Sequence, residues 1–466
     1  MGRELLAARG GLLLAAPLSV LSDTPPRAAQ APVYRIGEAR FDVGLQRINS
    51  LSNAWNIYTA PGALAALWVT EQFGLRGCLL AGYSSQLLCV LLAHLACVLP
   101  LAQREAFNLL YASQAVGALG QPLFLNNVTL LAGAWFPASE RDAAVAVSLL
   151  FVAAGSVFIS IYAPLAVTQA GQMDRLYGWQ VPVWAAVLAA GLVFTADEPP
   201  LPPSASAAVM RSARRQRHSR SSERWDALRT AASQAAQLLW HANFMVLNLS
   251  SSILTGLVFL LGTVVGQLTA GCSESDETAG MALAALSAMS GVAVLLYLYL
   301  LRDQASGEAH PYVKHQLGWS ALCAMGTMVV LAMARPGVSA GVTIASWGVL
   351  GLASGTLING ALTMEHAAEM TFPLPANVSV ALLAVTSSIV SFLQVVIGTQ
   401  LLEAPASVNC LSAATPFAAF CALSCAAGLA LLGLLKADYR RAEMESQSQG
   451  QEDRRVGSYG ATDERK

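Results

Sequence analysis

The sequence predicts an all-α polytopic membrane protein built as two bundles of six helices, with a first helix that is short or incomplete. Three observations carry this. The chain is apolar and charge-poor, it contains eleven long apolar runs, and its basic residues crowd onto one side of those runs. Of 466 residues, 55% are hydrophobic and 12% charged, against about 25% charged in a soluble domain. Mean hydropathy is +0.52. One spanning helix takes about 20 apolar residues, so twelve would occupy about half of this chain. A disordered chain, a basic nucleic-acid-binding domain and an ordinary soluble enzyme are all excluded. The net charge of -1 offers no global field for a polyanionic partner.

The apolar runs lie at 48–70, 77–100, 107–135, 143–168, 180–196, 238–269, 279–301, 316–333, 339–364, 379–402 and 415–436. They are counted here as the second to twelfth spans. Alternation with a period of two is absent, which argues against a β-barrel. The run 180–196 is short and holds Pro182, but Trp179 and Trp184 suit a membrane interface. The segment 10–21 is apolar and too short to span. It reads as a first span whose start is missing, as a signal peptide, or as a shortened real span. The stretch SDTPPRA after it is a poor cleavage site.

Basic residues set the orientation. With a cytoplasmic N-terminus and twelve spans, 20 of the 27 Lys and Arg fall on the cytoplasmic side. That is a strong positive-inside bias. Much of it comes from residues 198–237, which begin with a proline cluster and continue through Arg211, Arg214, Arg215, Arg217 and Arg220. This segment reads as a solvated cytoplasmic linker, with 221–237 as a short amphipathic surface helix. The linker divides an N-terminal bundle (1–197) from a C-terminal bundle (238–436), and a polar tail (437–466) is expected to be disordered and cytoplasmic.

Six spans, a large cytoplasmic loop and six more spans resemble the layout of the major facilitator superfamily. In WVTEQFGLRG (68–77), Glu71 followed by Gly74 and Arg76 resembles that superfamily's short loop motif, and WFPASERDAA (135–144) resembles its connection between the fourth and fifth spans. The cytoplasmic-gate candidates are therefore Glu71, Arg76, Glu140, Arg141, Arg302 and Asp303. They are read as inter-helix clasps that break when the protein opens inward.

Three stretches narrow the resemblance. EMTFPLPANVSVALLAVTSS (369–388), LTGLVFLLGTVVGQLTAGCSESDETAG (254–280) and GQPLFLNNVTLLAGAWFP (120–137) are similar to segments of the feline leukaemia virus subgroup C receptor-related transporters. That resemblance implies a facilitator for a small organic solute: a choline-like amine, haem or another. In the family's choline carriers an aromatic cage with a supporting amide holds the quaternary ammonium. This chain departs from that pattern. The cage's first-span tryptophan has no counterpart, its seventh-span tyrosine falls at Phe259, a fifth-span glutamine falls near Ala153 or Ala154, and the eleventh-span glutamine falls near Ser388.

Ionisable groups are nearly missing from the spans. Glu71, Asp197, Glu365 and Glu403 sit at span edges. A buried carboxylate is the usual relay in a proton-driven carrier, so facilitated diffusion is expected. His94 reads as a packed structural residue. Uncharged polar stripes at helical spacing are the better substrate candidates: Asn53 in the second span, Gln114 and Gln121 in the fourth, and Ser251, Thr255 and Phe259 in the seventh. Asn359 in the tenth span and Ser388 and Ser391 in the eleventh complete the set. For each, interhelical hydrogen bonding is the structural alternative. Pro122 is expected to let the fourth helix bend. No catalytic set, metal site or cofactor is expected, and no phosphate-binding loop appears.

The expected function is transport of a small organic solute by alternating access, by a monomer in the plasma or an endolysosomal membrane. A transport-inactive receptor or scaffold with a vestigial cavity is the alternative. The lipid bilayer and the solute are the expected partners, and nucleic acid is not.

Overall fold

The computed structural model describes residues 34–137, 140–220, 224–270, 276–302, 312–335, 337–358, 361–403 and 415–444. Among these, all regular elements are helices. The N-terminal half holds α1 (Tyr34–Phe41), α2 (Leu45–Val98), α3 (Gln103–Leu125), α4 (Val128–Trp135), α5 (Arg141–Ala166), α6 (Met173–Gly178) and α7 (Gln180–Phe194). The linker holds α8 (Ala205–Arg220) and α9 (Arg224–Leu239). The C-terminal half holds α10 (Ala242–Ala270), α11 (Asp276–Arg302), α12 (Tyr312–Met333), α13 (Ala340–Ile358), α14 (Ala361–Thr371), α15 (Ala376–Glu403) and α16 (Thr415–Leu432).

Eight helical stretches are long and apolar enough to cross a membrane. The first is α2, whose 54 residues would extend about 80 Å as one rod, against about 30 Å of hydrocarbon. It is two helices in direct succession, and Gly74 makes the turn at φ 78°, ψ 179°. That conformation is almost closed to residues with a Cβ. Its two arms, with the shorter apolar helices Ala340–Gly355 and Pro416–Leu432, give the eleven spans expected from the sequence. Gly74→Ala is expected to lower the recovery of folded protein by about 1–3 kcal/mol of strain. Thermal unfolding of the detergent-solubilised chain would measure it.

Each half has its own apolar core. One cluster gathers Leu261, Val265, Trp347 and Phe417 in the C-terminal half. The N-terminal half has two, around Tyr83, Phe124 and Trp184 and around Leu51, Leu110 and Tyr177. The halves meet where α2 packs on α15 and α5 packs on α11. Leu165, Val193 and Leu423 are exposed on the outside of the bundle, where apolar side chains meet lipid tails at no cost.

Several elements differ from the sequence expectation. The sixth span is not short. Helix α6 precedes α7 and buries Met173, Leu176 and Tyr177, so the spanning stretch is Ala170–Phe194. Asp174 and Arg175 conceal this extension in the composition, and Pro182 is tolerated because it lies in the first turn of α7. The fourth span is interrupted at Asn126–Asn127, between α3 and α4, one turn after Pro122. The tenth span comprises α13 and α14, with residues 359–360 outside the described residues, and continues beyond the apolar run to Thr371.

The linker is not a fully solvated segment. Within it Ser206, Ala207 and Gln234 are buried. The start of the tail is not disordered either, because residues 440–444 are helical and Arg441 is buried. Residues 1–33, with the apolar segment 10–21, lie outside the described residues, as do Asp303, Asn359 and residues 445–466.

Candidate functional site

Two polar groups sit at mid-height in the bundle. In the N-terminal half, the Trp55 indole donates to the Gln114 Oε1 at 2.7 Å, a buried bond between α2 and α3. The Gln114 amide also donates to Ser113 Oγ at 3.4 Å. Beside it, Gln86 Nε2 donates to the Gly117 carbonyl at 2.7 Å. Gln114 lies about 16 Å along α3, near the middle of a span. Sequence reasoning missed Trp55 and Gln86. Trp55 stands between Asn53 and Asn56, and Gln86 follows Ser84 and Ser85; polar side chains inside a span signal helix-facing contacts.

In the C-terminal half, α10 and α15 come into close contact at Gly256. A Cβ there would meet Gln394 Oε1 at 2.1 Å and Ser391 Oγ at 3.1 Å. Gln394 Nε2 donates to the Ile253 carbonyl at 3.2 Å, leaving its buried Oε1 and the Ser391 hydroxyl without a hydrogen-bond partner. Such groups are costly unless another polar group meets them.

The other candidates divide between these groups and structural contacts. Ser251 accepts from Gln316 Nε2 at 3.2 Å, and the same amide reaches Thr363 Oγ1 at 3.3 Å. Gln316 thus ties three helices together, yet at the edge of its apolar run it reads as a loop residue. Asn53 accepts from Asn56 Nδ2 at 3.2 Å. Ser388 is buried, whereas Thr255, Phe259 and Gln121 are half-buried.

The end of the bundle that carries the linker holds a cavity of about 110 Å³ between the halves. Its wall includes Glu71, Thr129, Gly133, Asp197, Asn377 and Arg441. Of the gate candidates, Glu71 lines this cavity. Arg76 instead binds within its own half: its backbone N–H donates to Asp197 Oδ1 and its guanidinium to the Leu192 carbonyl, both at 3.0 Å. Arg141 is buried and donates to Ser206 Oγ at 2.7 Å and to Ser204 Oγ, fastening α5 to the start of α8. Glu140 precedes α5 and is exposed. Arg302 ends α11.

Two fastenings at this end were not legible as such. Asn127 shares hydrogen bonds with Thr70, at 3.2 Å from Nδ2, and donates to the Leu123 carbonyl at 2.8 Å, so it pins the break in the fourth span. Glu365 and Glu369 are buried at 5% and 7% exposure, although both fall beyond the apolar run. Arg441 faces Glu365 at 3.7 Å, and the Ala442 N–H donates to Glu369 Oε1 at 2.6 Å.

Residues 7–394 match the family profile of the major facilitator superfamily. The chain belongs to that superfamily. Among solved superfamily structures, the proton:xylose symporter XylE bound to 6-bromo-6-deoxy-D-glucose superimposes with a TM-score of 0.65 at 13% identity. The match covers 93% of this chain and 98% of XylE. A double tryptophan mutant of XylE gives 0.66 at 12% identity, over 94% and 98%. At such identities the likeness is one of fold. Among curated relatives, the chain is similar to solute carrier family 49 member A3 of Xenopus tropicalis, 28% identical over 181 residues. That alignment covers 38% of each chain. The Danio rerio protein of the same name is 30% identical over 178 residues, 38% of this chain and 37% of that one. This chain therefore matches under two-fifths of the length of these two relatives. An uncharacterised Caenorhabditis elegans protein is 25% identical over 353 residues, 74% of this chain and 64% of that one. A superfamily member with these helices is a multi-pass membrane protein.

Proposed function

We propose that the chain is a facilitator that carries a small organic solute by alternating access, and that it acts as a monomer. The observation that carries this is the pair of mid-height polar groups, one in each half. They offer amides, hydroxyls and an aromatic face: Trp55 with Gln114, and Ser391 with Gln394 against Gly256. Such groups recognise a polar solute through hydrogen bonds or ring faces without a charged partner. Near-absence of charge at mid-height supports facilitation over proton drive.

The similarity to solute carrier family 49 and the stretches resembling the feline leukaemia virus receptor-related transporters support an organic amine, haem or a related solute. The positive-inside bias supports a cytoplasmic linker end, which makes that end the inner mouth in this reading. Uptake into proteoliposomes of choline, ethanolamine, haem and amino acids tests the reading. One solute is expected to move down its gradient without a proton gradient. If none moves, and single cysteines at both faces never change in access, the reading fails.

A further inference from the structure

We propose that residues 436–444 form a strap that stoppers the inner mouth, with Arg441 as its latch. The proposal rests on the alternating-access reading but is tested apart from it. The strap begins where the twelfth span ends. Its base is fixed to the start of α10 by two bonds: Lys436 N–H donates to Asn243 Oδ1 at 2.9 Å, and Asn243 Nδ2 donates to the Lys436 carbonyl at 2.7 Å. Asp438 lies 3.7 Å from His241 Nε2. The Tyr439 ring then packs on Tyr312 of α12 at 6.1 Å between centroids.

Beyond this base the chain turns inward. The guanidinium of Arg441 lies 3.7 Å from Glu365, and the next residue's N–H reaches Glu369 at 2.6 Å. A backbone N–H on a carboxylate is a charge-assisted bond, stronger than a neutral one. Both acids belong to α14, the short last piece of the tenth span. Across the cavity, Arg441 reaches the other half. A Cβ on Gly133 of α4 would stand 3.3 Å from Arg441 Nη2. The glycine leaves room for the guanidinium, and a larger side chain would push it out.

The stopper is thus carried by the C-terminal half and seated against the N-terminal half, at the wall of the cavity. Opening inward separates the halves at this end, so the seat at Gly133 must be vacated. A cation buried to 9% exposure keeps its place only while it is paired. The Glu365 pair therefore sets how readily the strap leaves. Where a surface tail would be indifferent to these acids, a strap is not.

The experiment reads access to the cavity and needs no substrate. Asn377, 3% exposed and in the cavity wall, is replaced by cysteine in the full chain. A membrane-impermeant maleimide is then applied from the cytoplasmic face of inside-out vesicles, with the unsubstituted chain as the blank. Arg441→Glu and Glu365→Arg each place like charges together and are expected to speed labelling about tenfold. The double exchange restores the pair and is expected to return the slow rate. Arg440→Glu, at an exposed arginine paired with Asp438, is expected to change nothing. Arg441→Gln serves as a milder second variant if a reversal does not yield monodisperse protein. Single variants that label at the original rate overturn the strap, as does a double exchange that stays fast or an Arg440 variant equally accelerated. Labelling that follows the pair while no solute moves leaves the strap standing and removes transport.

Discussion

Gly351→Ile is expected to abolish recovery of folded, monodisperse protein. A Cβ at Gly351 would stand 2.1 Å from the Leu286 carbonyl oxygen and 2.7 Å from its carbon. These are backbone atoms of α11, so no side chain can swing aside. One turn on, a Cβ at Gly355 would meet the Ser290 carbonyl oxygen at 2.5 Å. Together Gly351 and Gly355 form a Gly-x-x-x-Gly face on which α11 and α13 touch backbone to backbone. In lipid, such close approach replaces the hydrophobic force that packs helices in water. Even alanine at Gly351 must push the helices apart, and overpacking typically costs about 1–3 kcal/mol. Isoleucine adds three more carbons. The comparison is Gly341→Ile on the same helix, where nothing lies within 4 Å. Size-exclusion profiles of the two variants give the result, with loss at residue 351 and retention at residue 341. Equal retention would show that α11 and α13 are further apart than described.

The second large effect separates stability from recognition. Gln114→Leu removes the acceptor of the Trp55 indole, a 2.7 Å bond sealed from solvent. A buried donor left unpaired costs about 1–3 kcal/mol. The unfolding temperature in detergent is expected to fall accordingly. Adding Trp55→Phe removes the orphaned donor, and replacing both partners by apolar groups can be nearly neutral. The double variant is therefore expected to regain most of the lost stability. Solute uptake is expected to stay lost, because the amide and the indole are both gone from mid-height. Uptake restored with stability would make the pair a structural tie, and the solute site would lie elsewhere.

How much of this was legible in the sequence differs between fold and site. Spans were legible because hydrocarbon excludes charge, and runs such as 143–168 or 238–269 contain no Asp, Glu, Lys or Arg. Gly74 stood out because it sits in a short charged loop motif. Tertiary contacts were harder. The sixth span hid its first turns behind Asp174 and Arg175, whose neighbours Met173, Leu176 and Tyr177 are buried. Burial of Glu365 and Glu369 depends on a partner some seventy residues away, Arg441 with its neighbour. No local periodicity encodes that. Within the site, Gln114 and Ser391 could be named from spacing alone, but what each touches could not. The Ser251 hydroxyl meets Gln316, while the Ser391 hydroxyl has no hydrogen-bond partner. Both looked alike as a serine on a helical stripe.

The turn at Gly74 has a mechanical corollary. With no loop between its arms, the second and third spans form a stiff tweezer whose pivot is one residue wide. At the linker end the fourth span is interrupted at Asn126–Asn127, and its last piece, α4, touches α14 of the opposite half. The two halves therefore meet there through short rods of about two or three helical turns.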